Sequence, residues 1–108
     1  MYRELIQSEL DRIVALVSEE PSVQRVFLFG SAVKPESLTE GSDLDICIVQ
    51  KTERPFYDRL AEWILKIQPE VGLDLLVYRP EEFDQMIREN YFVRSEISEK
   101  GREIYHAA

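Results

Sequence analysis

The segment Asp43-Leu44-Asp45-Ile46-Cys47-Ile48-Val49 reads as a buried strand by its run of β-forming apolar residues, yet it opens on two carboxylates. Side chains alternate between the faces of a strand, so Asp43 and Asp45 share one face while Leu44, Ile46 and Ile48 share the other. A second apolar run, Gly72 to Tyr78, carries Asp74 between Leu73 and Leu75. Carboxylates in such runs are costly to bury unless water, a proton or a cation relieves them. If the two strands are neighbours, all three acids converge, and a divalent cation is the simplest resolution.

The rest of the chain supplies elements to hold these strands. Leu5, Ile6, Leu10, Ile13, Val14 and Val17 recur at spacings of three and four, which predicts an amphipathic helix over Tyr2–Val17, ended by Glu19-Glu20-Pro21. Val23–Phe29 reads as a strand stopped by Gly30, and Ser31–Ser42 as a loop with Pro35 and Gly41 as breakers. A helix is expected from about Pro55 to Gln68, with Phe56, Leu60, Trp63, Ile64 and Ile67 on its packed face. Those aromatics read as core, not as a base-stacking platform. Arg79-Pro80 opens another helix with Glu81 and Glu82 in its first turn, suited to the helix dipole. A final helix is predicted from about Tyr91 to Gly101 or Tyr105. Helices alternating with strands imply one sheet packed against helices, with the strand directions open.

Composition narrows the function. With 108 residues the chain is expected to be a single domain, 1–108, without room for a second, acceptor-binding domain. It has 13 Lys+Arg against 21 Asp+Glu, a net charge of −8, which argues against general nucleic-acid binding and favours a cationic partner or a metal-bridged substrate. No run approaches the roughly 20 apolar residues of a membrane span, and the first residues lack the apolar core of a signal peptide. The single cysteine, Cys47, permits no internal disulfide and reads as an inert thiol. A cytoplasmic protein is expected.

The acids define the chemistry further. Oxygen ligands alone suit Mg²⁺ or Mn²⁺, and the one histidine, His106, is at the tail and receives no role. Mg²⁺ keeps several waters and often completes its shell with substrate phosphates. Gly30-Ser31 directly after the first strand is a matching feature, since a glycine lets a phosphate approach the backbone and the amides and hydroxyl can hold its oxygens. Each feature has a plainer reading: Gly-Ser is a common turn, and an Asp-x-Asp after Gly41-Ser42 can bond local backbone. Turn chemistry does not explain Asp74.

With Gly30-Ser31, Asp43-Leu44-Asp45 and Asp74 in this order, the chain resembles the minimal nucleotidyltransferases of the DNA polymerase β-like superfamily over nearly its whole length. The resemblance implies an α+β fold, with a small mixed sheet of about three or more strands packed against helices. It implies that Asp43, Asp45 and Asp74 form the catalytic and metal site for two Mg²⁺ ions, and that Gly30 and Ser31 bind the nucleotide. Lys34-Pro35 stands where Arg-Gly is common, so Lys34 takes the place of the phosphate-side cation, without arginine's bidentate fork. The implied reaction is AMP transfer from ATP to a hydroxyl. In this family the acceptor is a tyrosine of a partner HEPN-type ribonuclease toxin, which makes such a chain an antitoxin. Two other functions stay open: a binding module that masks a partner with little catalysis, and transfer to a small-molecule or RNA acceptor. The exposed side of the Arg79–Arg94 segment is the expected docking face for a partner.

Overall fold

The structure, a computed structural model, describes residues 2–108. Its elements follow in the order α1 (Tyr2–Ser18), β1 (Val23–Phe29), two short 3-10 turns (Gly30–Val33 and Pro35–Ser37), β2 (Leu44–Gln50), α2 (Phe56–Ile67), β3 (Leu73–Tyr78), α3 (Pro80–Glu89), a π-helical turn (Val93–Glu99) and β4 (Arg102–His106). The strands form one mixed sheet in the order β3-β2-β1-β4. β1 runs antiparallel to both β2 and β4, whereas β2 and β3 are parallel. The question of direction is thus answered by the connections: the loop after β1 lets the chain turn back, and the crossover through α2 lets β3 run alongside β2. No helix among the described residues is long and apolar enough to cross a membrane.

The sheet is covered on both faces. On one, Ile6, Leu10, Ile13 and Val17 of α1 and Trp63 and Ile67 of α2 pack on Val26, Leu28, Leu44, Ile46, Ile48 and Val77. On the other, Phe83 of α3 and Val93 and Ile97 of the π turn pack on Phe27, Phe29, Cys47 and Val49. Phe27 and Phe83 stack with ring centroids 5.3 Å apart. Period-two alternation along β2 therefore sends Leu44, Ile46 and Ile48 to one core and Cys47 and Val49 to the other.

Three polar anchors join the layers. The Trp63 indole donates to the Gln50 side-chain oxygen at 2.8 Å, which satisfies both inside the core. Arg59, buried on α2, donates to the Val77 carbonyl at 3.1 Å, to Glu82 at 2.8 Å and to the Arg54 carbonyl at 2.7 Å, tying α2 to β3 and α3. Glu9, buried on α1, accepts from Arg12 and from the Glu70 backbone amide at 3.0 Å. No buried side-chain polar atom among the described residues lacks a hydrogen-bond partner.

Two expectations are corrected. Ile64 is exposed, because the buried stripe of α2 is centred on Arg59, Trp63 and Ile67, and Ile64 falls about a quarter-turn away from it. The predicted last helix is a π turn that ends at Glu99, and Arg102–His106 is instead an edge strand. At Gly101 a β-carbon would overlap the Ile97 carbonyl, so this glycine lets the chain leave the turn and lie against β1. Trp63→Ala is expected to cost about 3–5 kcal/mol through the cavity it leaves. Urea denaturation should show the loss without a change in folded-state secondary structure.

Candidate active site

The register of β2 brings the acids together. Asp45 pairs with Phe29 of β1 on one side and with Asp74 of β3 on the other. Directly paired residues project from the same face, and the neighbours Leu44, Ile46, Leu73 and Leu75 all face the α1/α2 core. Asp45 and Asp74 therefore stand together on the opposite face. Cys47, two residues beyond Asp45 on that face, is covered by the second core, while Asp74 is exposed and Asp45 half-buried. Asp43 lies one residue before β2, exposed, and not inside the strand as expected.

Two glycines shape the space around the carboxylates. Gly30 has φ +74°, a left-handed conformation that favours glycine, and a β-carbon there would overlap the Asp45 carboxylate. A β-carbon on Gly72 would in turn overlap the Asp43 carboxylate. The Gly72 carbonyl accepts from the Leu44 amide at 2.8 Å, which fixes the start of the β2/β3 pairing beside Asp43. The approach to Asp43 is braced as well: the Ser42 amide donates to the Thr39 carbonyl at 3.0 Å, the Ser42 hydroxyl accepts from the Thr39 amide at 3.0 Å, and the Tyr2 hydroxyl donates to the Ser42 carbonyl.

Gly30 also opens the first 3-10 turn, whose last bond runs from the Lys34 amide to the Ser31 carbonyl at 3.2 Å. Gly30, Ser31, Lys34, Ser37, Glu96 and Lys100 line an open cavity of about 290 Å³. The three residues expected to hold a nucleotide thus share one cavity, and Gly30 joins it to Asp45. Glu96 and Lys100, which the sequence reading did not single out, come from the π turn and its end. Their only signal in the sequence is an acid and a base four residues apart, which marks any solvated helix equally well. Phe29, the β1 partner of Asp45, meets Phe92 edge to face at 5.9 Å, and Phe92 remains 49% exposed.

Crowding perturbs Asp45. Burial, then its hydrogen bond with Asp74 and the charges of Asp74 and Asp43, push its carboxyl up from 3.8 to about 6. A hydrogen bond between two carboxyls requires one of them to carry a proton, so below pH about 6 and without a cation Asp45 holds one. Burial alone pushes the Cys47 thiol up to about 12, and it is no nucleophile. Among the described residues, no three acidic, histidine or cysteine side chains are close enough to form a ready-made metal cage. The carboxylates are adjacent, not preassembled. They fit a hard divalent cation in three respects: all donors are oxygens, the glycines leave them uncovered, and a cation would relieve the crowding of negative charge that pushes the Asp45 carboxyl up.

The raised pKa of Asp45 has a consequence for stability. The folded state holds the Asp45 proton more tightly than the unfolded chain does, so the associated stabilisation is full below pH about 4 and is lost as pH rises to about 6. In metal-free buffer, the stability of the wild-type chain relative to Asp45→Asn should therefore fall across that interval, leaving the variant the more stable protein above it. Parallel profiles for the two proteins would contradict this assignment.

A comparison with curated proteins finds no match. The family described as the nucleotidyltransferase domain matches residues 10–104, a span that takes in Gly30-Ser31, all three acids and every strand but the last residues of β4. Members of this family generally use divalent metals and nucleoside triphosphates. The chain, with its four-stranded mixed sheet and its acids at the end of two parallel strands, belongs to the nucleotidyltransferase domain family.

Proposed function

We propose that this chain transfers AMP from ATP to the hydroxyl of a tyrosine on a partner HEPN-type ribonuclease toxin, and so serves as the antitoxin of a toxin–antitoxin pair in the cytoplasm. The observation that carries nucleotidyl transfer is Asp45, set against Asp74 on one side and against Gly30 of the open cavity on the other. A phosphate held at Gly30 and Ser31 lies next to the acids. The choice of a protein acceptor rests on charge, since the net charge of −8 suits a basic surface. The exposed Phe92, packed on the β1 partner of Asp45, offers apolar contact to such a partner.

In this reading the Gly30 backbone and the Ser31 hydroxyl hold the outer phosphates, with Lys34 adding positive charge. Asp43 and Asp45 would hold two Mg²⁺ ions, with Asp74 completing the site of one of them. When bound, these ions supply charge that stabilises both the attacking and the leaving oxygens. Asp74, exposed at the mouth of the site, is placed to take the proton from the acceptor hydroxyl. The acceptor oxygen forms a bond to the α-phosphorus, the bond to the β-phosphate bridge breaks, and pyrophosphate leaves.

Incubation with α-labelled ATP, Mg²⁺ and a HEPN-type ribonuclease from the same genome should label the ribonuclease. Asp43→Ala or Asp45→Ala should lower labelling by at least about 10²-fold, while thermal stability is unchanged or higher because like charges no longer meet. Tight binding without label would instead identify a masking module, and label on RNA or a small cationic acceptor would identify a different substrate. Full activity in either variant would eliminate the carboxylate mechanism.

A further inference from the structure

The cavity beside Gly30 and Ser31 has two cations, and they come from opposite ends of the chain. Lys34 ends the first 3-10 turn, and Lys100 ends the π turn, where its amide donates to the Ser95 carbonyl at 2.9 Å. The position of Lys100 is not left to a flexible tail. The next residue, Gly101, is packed so closely that a β-carbon would overlap the Ile97 carbonyl and press on the carbonyl of Leu28. Arg102 then pairs with Leu28 in the sheet. Leu28 is two residues before Gly30, so the β1/β4 pairing holds the Lys100 backbone beside the turn that opens at Gly30.

Within the cavity, the Lys100 ammonium is 3.2 Å from the Glu96 carboxylate. The two side chains are 67% and 40% exposed. An exposed pair of this spacing is weak, because water and salt screen it. A polyphosphate brings several charged oxygens to the same lysine and forms shorter, charge-assisted hydrogen bonds. Glu96 is the one acid among the residues lining this cavity; its charge opposes an anion there and competes with it for the lysine.

We propose that Lys100 is a second phosphate-binding residue, closing from the C-terminal segment on the outer phosphates of a nucleoside triphosphate across from Lys34, with Glu96 holding it when no nucleotide is bound. The assignment rests on the nucleotidyltransferase reading of the site and adds to it the group that favours a triphosphate over a monophosphate. It also gives the π turn a role, since that turn sets Glu96 and Lys100 on the same side of the chain.

Calorimetry on the full chain with Mg·ATP, with AMP and with inorganic tripolyphosphate tests this directly. Lys100→Ala should weaken Mg·ATP and tripolyphosphate by about tenfold and leave AMP unchanged. Glu96→Gln should shift the affinity for both polyphosphates the other way, tightening it severalfold. Lys66→Ala, which removes an exposed lysine on α2 that pairs with Glu20, controls for overall charge and should change nothing. If the wild-type chain binds both polyphosphates and Lys100→Ala binds them equally well, the role of Lys100 is refuted and the reading of the site stands. Should the wild-type chain bind neither, both fall.

Discussion

Asp45 stands opposite Asp74 across two parallel strands, and this repulsive contact conditions what surrounds it. Two carboxylates in register, with a third one alternation earlier, cannot sit beneath a helix, so the second core stops short of them. Phe83, Val93 and Ile97 cover Cys47 and Val49, while Asp74 stays in solvent. The same contact accounts for the glycines. Of the four glycines, Gly30 and Gly72 are the two at which a β-carbon would collide with these carboxylates.

The opposite face of the sheet supplies the stability that such a site lacks. There α1 and α2 bury Ile13, Val17, Trp63 and Ile67 completely against the three inner-facing residues of β2. Full burial of side chains of this size is worth roughly 1.5–3 kcal/mol each, enough to outweigh a repulsive pair of carboxylates. The sheet is thus divided by function, one face closed and apolar, the other closed at one end and open at the end that carries the acids. β2 belongs to both, because alternation sends its aliphatic residues one way and Asp45 the other.

Much of this was legible in the chain. The spacing of Leu10, Ile13 and Val17, the apolar runs of β1 to β3 and the Pro80 start of α3 each specify their element through local chemistry, and the observed bounds differ by a residue or two. Gly30-Ser31, Asp43, Asp45 and Asp74 could be named as a set because carboxylates in apolar runs demand an explanation wherever the strands lie. The C-terminal segment was not legible. Arg102–His106 has neither a clear alternation nor an apolar majority, and it is a strand because β1 offers it an unpaired edge. Ile64 misled in a similar way: the helical period was right, but the buried stripe turned toward Arg59, whose guanidinium found partners on β3 and α3.

By itself, then, the sequence determined the elements as far as the start of α3, the oxygen-only character of the acids and the glycine beside them, since these follow from residue type and near-neighbour spacing. Tertiary structure alone decided that Asp45 faces Asp74, that Asp43 lies outside the strand, and that Lys100 shares a cavity with a serine far from it in the chain. Strand order and register arise from burying two faces of one sheet at once, and that condition involves residues too distant along the chain for any local pattern to record.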